Sequence, residues 1–258
     1  MTKLDVLQKC TVDGNVVRLP EGQLDRKLYQ DVAKSLELIG GKWKGGKVAG
    51  FVFQSDPTDL LSQIAGGENR NLKKEFQFFE TSDELGDRLV ELAVRGRDLM
   101  GGWANLFEIG RYRILEPSAG QGAIIRAIRR VWPGLPVYAY ELMPINREIL
   151  KKDSSIKLAA VPDFLECENP MDFHLIIANP PFSGNQDIDH VRQMYKRLAV
   201  GGRMVSIMSE SWVSGLQKKQ AQFRDWLFEV GAEIHDIDKG AFKSSGTMVG
   251  GKIVVIDK

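Results

Sequence analysis

The 258-residue sequence predicts an α/β fold, a mostly parallel sheet covered on both faces by helices, with a small α+β annex ahead of it. Three observations predict it. From about residue 112 onward, short apolar runs alternate with stretches whose apolar residues recur every three to four positions, the pattern of strands and amphipathic helices in turn. Segments rich in small and acidic residues directly follow the apolar runs, at the strand ends where an open parallel sheet binds its ligands. The texture changes near residue 75, before which the elements are fewer and punctuated by paired glycines.

Composition narrows the class further. With 43% hydrophobic residues the chain can bury a full core and lacks the signature of disorder. It carries 35 Lys+Arg against 34 Asp+Glu, a formal charge of +1, which argues against a protein that wraps nucleic acid indiscriminately through phosphate contacts. Room remains for a local basic face: residues 1–74 hold twelve basic against nine acidic residues, with Lys42, Lys44 and Lys47 close together. No window approaches the roughly 18 apolar residues of a membrane span, and the N-terminus MTKLDVLQKC lacks the apolar core of a secretory signal. A soluble, cytoplasmic protein is the expectation. Cys10 and Cys167 stand in unrelated contexts, so neither a disulfide framework nor a C-x-x-C site is expected.

In the annex, residues 15–19 read as a strand and residues 24–39 as a helix, with Leu28, Val32, Ser35, Leu36 and Ile39 at helical spacing. Gly40 and Gly41 end it. Residues 42–53 read as two short strands around a Gly45-Gly46 turn, and a second helix runs from Asp56-Pro57 to Gly66-Gly67. Residues 66–74 read as a linker, dividing an annex at 1–75 from a second domain at 76–258. Ser82-Asp83 caps a helix carrying Leu85, Leu89, Leu92 and Ala93, and a Gly-rich loop with Trp103 and Phe107 leads to a strand at 112–115. Further strands are predicted at 137–141, 156–160, 174–178, 203–209, 232–238 and 252–257. Helices are predicted at 121–131, 145–152, 187–199 and 217–230. The 187–199 helix shows the period most clearly, through Ile188, Val191, Met194, Tyr195 and Leu198.

After the strand at 112–115 comes EPSAGQG, residues 116–122. Gly120 and Gly122 allow a ligand to approach the backbone closely, because neither carries a Cβ. A dinucleotide fingerprint would need a third glycine where Ile125 stands. Glu116 at the mouth of the loop repels phosphate and suits a cationic or amine-bearing ligand. Glu141 ends the next strand, in Tyr138-Ala139-Tyr140-Glu141, where a carboxylate can accept both hydroxyls of a ribose.

A second motif, Asn179-Pro180-Pro181-Phe182, follows the apolar run Ile176-Ile177-Ala178. Two successive prolines fix the backbone and remove two N–H donors. What projects from the strand end is a set of acceptors. The Asn179 side-chain oxygen and the Pro180 carbonyl can take both hydrogens of a planar NH₂ group while Phe182 stacks on its face. His174, His190 and His235 lack ligand spacing, so no metal is expected. Asp187, near Asp189 and His190, reads as the start of a capped helix.

The pairing of EPSAGQG with NPPF resembles the class I S-adenosylmethionine-dependent methyltransferases, and among them the amino-methyltransferases, most closely the N6-adenine DNA methyltransferases. The resemblance covers residues 76–257. It implies a Rossmann-like sheet of seven strands, mostly parallel with helices on both faces, in which the last strand, residues 252–257, runs antiparallel between the fifth and sixth. Phe78-Phe79-Glu80-Thr81 is similar to the family's N-terminal cofactor motif, although Glu80 replaces its usual proline. Carried over, Glu116 and Gly120 face the methionine part of S-adenosylmethionine, and Pro117, Ser118, Ala119 and Gly122 shape the loop. Glu141 holds the ribose, Leu142 lies against the adenine ring, and Asp163 and Phe164 contact that ring after the third strand. Phe79, Thr81 and Asn179 complete the cofactor set.

The implied chemistry is direct in-line transfer of a methyl group to an exocyclic amine, Asn179 and Pro180 acting on the nitrogen; methylation of a cytosine carbon would need a cysteine nucleophile that neither Cys10 nor Cys167 supplies. A target base in duplex DNA must be flipped out. Around it the sequence places Phe182, Trp212 in the loop after the fifth strand, Phe242 and Lys243 in the loop joining the last two strands, and Lys218 at the start of a helix. The family adds a sizeable target-recognition domain, and here nothing follows the final strand. Either the annex, where Trp43 stands among lysines, reads the nucleic acid, or selectivity is low, or a protein partner supplies it. Compact enzymes of this kind resemble those of phages and mobile elements. Three further readings stay open: RNA methylation at adenine N6 or guanine N2, methylation of a protein glutamine amide, and a non-catalytic cofactor-binding or nucleic-acid-binding module.

Overall fold

Thr2 and Asp5 cap each other reciprocally, each side chain accepting the other's backbone N–H, and so start a helix, α1 (Lys3–Gln8), before any strong hydrophobic period begins. A computed structural model describes residues 1–76, 81–96, 112–168, 171–238 and 250–258. The chain divides into two units, Met1–Phe78 and Phe79–Lys258. In the first, α1 leads to β1 (Thr11–Asp13) and β2 (Val16–Arg18), which pair antiparallel through a turn where Gly14 has φ +58°. Next come α2 (Arg26–Leu38), β3 (Lys42–Lys44), β4 (Gly50–Val52), α3 (Thr58–Ala65) and α4 (Leu72–Glu75).

The four strands form one antiparallel sheet in the order β1-β2-β4-β3. Asp25 caps α2 through the Lys27 and Leu28 amides, and the buried Val32 and Leu36 lie on the face expected from their spacing. Two corrections arise here. The strand at 15–19 is the second half of a hairpin, and neither its partner β1 nor α1 is predicted from the sequence. Residues 66–74 are not a bare linker: Arg70 grips the Glu75 carboxylate with Nε and Nη2, and Asn71 caps α4 through the Lys74 amide.

The second unit opens with α5 (Asp83–Val94), whose cap Ser82 accepts from the Leu85 amide. It continues through β5 (Ile114–Glu116), α6 (Ala123–Val131), β6 (Val137–Ala139), α7 (Pro144–Lys151), β7 (Ile156–Leu158), β8 (Phe173–Ala178), α8 (Gln186–Lys196), β9 (Leu198–Met208), α9 (Ser211–Ser214), α10 (Lys218–Glu229), β10 (Glu233–Ile237) and β11 (Gly251–Asp257). Seven strands lie in the order β10-β11-β9-β8-β5-β6-β7. β11 is antiparallel to both neighbours, and the other pairings are parallel. The helix read as 187–199 stops at Lys196, because Leu198 already belongs to β9 and is registered with Phe173.

The apolar run of β8 is continuous because the strand is covered on both faces. Leu175 and Ile177 enter one core with Leu89, Ile124 and Ile128; Ile176 and Ala178 enter the other with Ile188, Val191 and Phe223. Each of these large side chains contributes about 1.5–3 kcal/mol by leaving water. The result is a rigid central strand whose carboxyl end carries Asn179. No described helix is long and apolar enough to cross a membrane.

Candidate active site

Glu116 is the last residue of β5, and the chain behind it turns through left-handed backbone at Gly120 (φ +52°) and Gly122 (φ +79°). A side chain is strained at both positions, and a Cβ at Gly122 would also come within 3.3 Å of Leu150 Cδ2. The turn is pinned to the end of β6: the Ala119 amide donates to the Tyr140 carbonyl at 2.9 Å, and the Gly120 amide donates to Glu141 Oε2 at 2.6 Å. The other oxygen of Glu141 accepts from the Met143 amide at 2.7 Å and from Asn146 Nδ2 at 3.4 Å. Glu141 is therefore a latch on the loop as well as an acid at the pocket edge, a role the strand-end reading of the sequence does not reveal.

The two carboxyls differ in how they are compensated. Burial raises the Glu141 carboxyl above its ordinary range, against the pull of the Met143 and Gly120 amides, Asn146 and Arg147. Glu116 is 1% exposed, and burial, reinforced by the Glu141 charge, holds its carboxyl well above the usual carboxylate range. The nearby Ser118 amide opposes that rise without reaching hydrogen-bond geometry. Both Glu116 oxygens and the Ser118 hydroxyl are buried without a hydrogen-bond partner among the described residues. Buried polar atoms in that condition cost about 1–3 kcal/mol each, so the loop is built to be completed by a donor-bearing ligand.

At the end of β8, Asn179 Nδ2 donates to the Thr81 hydroxyl at 3.1 Å, and Thr81 is itself buried. With Nδ2 on Thr81, Oδ1 is the other end of the amide and its acceptor. Pro180 is buried, Pro181 and Phe182 are half-buried, and Phe182 packs on the core that contains Ile124 and Ile177. A short turn, Ser183–Asn185, follows with Gly184 and Asn185 both left-handed, at φ +65° and +59°. Asp187 then reaches across to the end of β9, accepting from the Ser209 amide at 3.0 Å and the Ser209 hydroxyl at 2.7 Å. Asn185 is bonded to Gln217 and Gln220 of the next loop and helix. The exits of β5 and β6 are thus tied together, and so are the exits of β8 and β9.

No protein-family model matches the chain. Over 69 residues it is 36% identical to the type II methyltransferase M.CvrRI of Paramecium bursaria Chlorella virus XZ-6E, a match covering 27% of this chain and 18% of that protein. Among solved structures, the methyltransferase subunit of the type I restriction-modification system of Streptococcus thermophilus superposes with a TM-score of 0.55 at 14% identity, covering 70% of this chain and 44% of that one. The type IIG restriction endonuclease BpuSI superposes with a TM-score of 0.56 at 16% identity, covering 78% and 29%. The matched part is less than half the length of each of these relatives.

The fold is that of the class I S-adenosylmethionine-dependent methyltransferases. In this methyltransferase fold the described residues bring Thr81, Glu116, Pro117, Ser118, Ala119, Gly120, Gly122, Glu141 and Asn179 to strand ends or to direct contact with them. Leu142 follows the latch at 50% exposed, a bare apolar surface beside Glu141. Glu116, Ser118 and the glycine turn fit a ligand with a charged amine, on the evidence of the unpartnered buried oxygens.

Other positions differ from the sequence expectations. Phe164 is 1% exposed, its ring 5.3 Å from Tyr140 and 5.9 Å from His190, so it is a core residue rather than a pocket wall. Asp163 spends Oδ1 on the Leu165 amide at 2.8 Å, capping a turn of 3-10 helix. Trp212 is 3% exposed and packs edge-on against Phe223 at 5.5 Å, which removes it from any substrate surface. Asp187 lies in the first turn of α8, as expected, and is fully buried and bridges two strand exits; Asn185 is the cap residue, without a side-chain capping bond. Lys218 is exposed at the first residue of α10, whereas its neighbour Lys219 pairs with Asp189 at 2.6 Å. Phe78, Phe79, Glu80, Trp103, Phe107, Phe242 and Lys243 lie outside the described residues.

Proposed function

We propose that this chain is an S-adenosylmethionine-dependent methyltransferase acting on the exocyclic N6 amine of adenine in DNA. One observation carries the reading: the Asn179-Pro180 corner, with the Asn179 amide hydrogen-bonded to Thr81, stands at the end of β8 next in the sheet to the Glu116 loop of β5. The relatives named for restriction and modification systems favour DNA as the polymer.

S-adenosylmethionine, when bound, supplies an electrophilic methyl group on positively charged sulfur. Glu116, Ser118 and the Gly120 turn would hold its amino-acid end, Glu141 its ribose and Leu142 its adenine. A cation beside the buried Glu116 carboxyl would offset its burial and favour its ionised form, so the site suits a positively charged ligand.

An aromatic amine is a poor nucleophile because its lone pair is delocalised into the ring. Asn179 Oδ1 and the Pro180 carbonyl accept its two hydrogens and draw the nitrogen toward pyramidal geometry, which returns the lone pair to it. Pro180 and Pro181 offer no N–H to compete for those acceptors, and their fixed φ angles remove the cost of ordering the corner. Phe182 lies against the face of the base. The residues contribute positioning and electrostatics, and no covalent enzyme intermediate is formed.

Incubating the full chain with radiolabelled S-adenosylmethionine and DNA, RNA or protein, followed by digestion, tests this. N6-methyl-2′-deoxyadenosine from DNA is expected. Label confined to RNA or protein overturns the DNA reading, and label in none favours a binding module. Asn179→Ala should abolish transfer while cofactor still binds.

A further inference from the structure

β3 is the free edge of the first unit's sheet, and all three of its residues, Lys42, Trp43 and Lys44, are exposed. Lys47, in the turn that follows, is exposed as well. Residues 38–55 contain no Asp or Glu, and none of the three lysines has an acidic partner among the described residues. Two of this unit's three arginines differ: Arg70 is held by Glu75 at 2.8 Å and Arg18 lies 3.8 Å from Asp13. Three exposed lysines thus fall within six residues of the edge strand and its turn, with no acidic partner among the described residues.

Lysines on an edge strand have a second explanation, protection against edge-to-edge aggregation. Trp43 argues against protection as the whole account. A large aromatic ring 45% exposed in the middle of the edge invites association rather than preventing it. Its position is also fixed. The indole meets Phe51 edge-on at 5.2 Å and Tyr29 at 6.4 Å. The turn is held too: Gly46 and Ala49 are left-handed at φ +65° and +42°, and Arg18 Nη1 donates to the Val48 carbonyl.

We infer that β3 and its turn form a docking edge for the DNA backbone, with Lys42, Lys44 and Lys47 on phosphates and the Trp43 ring against a sugar or an unstacked base. An immobilised ring among unpaired cations is the combination by which proteins bind nucleic acid without reading its sequence. Such an edge adds affinity and orientation, leaving the choice of base to other residues. The inference takes its choice of polymer from the function proposed above, and in every other respect it stands on the first unit alone.

The test is fluorescence anisotropy of a labelled DNA duplex with the full chain in the absence of cofactor, titrated between about 50 and about 200 mM salt. Replacing Lys42, Lys44 and Lys47 together by Gln should weaken binding roughly 10-fold to 100-fold at the low-salt end and reduce the logarithmic salt slope by about 2 to 3, near 0.9 for each lost phosphate contact. Trp43→Phe keeps the packing on Phe51 and should remove most of the DNA-induced change in tryptophan fluorescence. Thermal unfolding of both variants should match wild type. Unchanged affinity and slope in the triple variant overturn the inference, as does a wild-type preference for RNA of the same length, or binding to neither polymer. Methyl transfer is read separately: a triple variant that keeps turnover at saturating DNA but has a raised KM supports the edge. DNA binding lost in the variant, with no transfer in any protein, leaves the edge standing and removes the proposed activity.

Discussion

Thr81 accepts a 3.1 Å hydrogen bond from the side-chain amide of Asn179, across 98 residues of sequence. The sequence motif that contains Thr81 resembles a cofactor contact, and the one that contains Asn179 a target-amine contact, so one hydrogen bond joins the two halves of the proposed reaction. On the proposed reaction Thr81 would act on the target through Asn179, as a positioning residue. Thr81→Val, nearly isosteric, should lower kcat about tenfold, equivalent to about 1.4 kcal/mol, with a smaller change in KM for the nucleic acid. Thr81→Ser should restore most of it. Equal loss in both variants would mean that shape, not the hydroxyl, matters here.

Glu116→Gln separates ligand binding from stability. The folded-state carboxyl is raised, so it ionises at a higher pH than in the unfolded chain. It therefore favours the folded form fully below the ordinary glutamate range, and that contribution is lost as pH rises from there through the folded-state value. At neutral pH the ligand-free wild type carries this penalty, and the neutral amide removes the pH-dependent part. Ligand-free Glu116→Gln should unfold at a higher temperature than wild type at pH 7 to 8 and show little difference near pH 4. Its affinity for S-adenosylmethionine should fall at least about tenfold. Thermal melts across pH, paired with calorimetric titration, read both effects; a variant less stable at neutral pH contradicts the assignment.

Trp212 offers a check on a corrected expectation. Its ring is buried against Phe223, so Trp212→Ala should destabilise the protein by about 3–5 kcal/mol, while Trp212→Phe should leave KM for the nucleic acid within about twofold. A large KM change in the Phe variant at unchanged stability would return Trp212 to the substrate surface.

Local chemistry explains what the sequence made legible. Gly120 and Gly122 stand where the backbone is left-handed, and two prolines after an unbroken apolar strand leave few conformations open, so these positions announce themselves. The parallel sheet follows the alternation, since β8 is covered on both faces, whereas the strand order and the antiparallel last strand were legible only through the family resemblance. What stayed hidden depends on partners distant in sequence or on elements too short to show a period. Three residues, Thr11–Asp13, cannot display strand alternation, although the Thr2 and Asp5 pair that caps α1 was visible as spacing. Trp212 and Phe164 sit beside strand-end loops, and nothing local distinguishes a ring turned toward Phe223 or Tyr140 from one turned outward.

Asp187 joins the exit of β8, which carries Asn179 and Phe182, to the exit of β9 through both the amide and the hydroxyl of Ser209. Burial raises its carboxyl above the ordinary aspartate range, and the Ser209 hydroxyl and amide oppose that rise. The net direction is upward, so this group alone adds less to stability at neutral pH than in acid, even though its bonds order the turn. Asp187→Ala leaves the half-buried Ser209 amide without this acceptor and should cost about 1–3 kcal/mol, whereas Asp187→Asn keeps one acceptor and should cost less. Because the link braces the Ser183–Asn185 turn next to Phe182, the Asn variant should also lower kcat more than it changes cofactor affinity. Denaturant melts and single-turnover transfer by the two variants measure the two effects independently. If Asp187→Asn transferred at the wild-type rate while Asp187→Ala lost only stability, the bridge would serve the fold and not the corner.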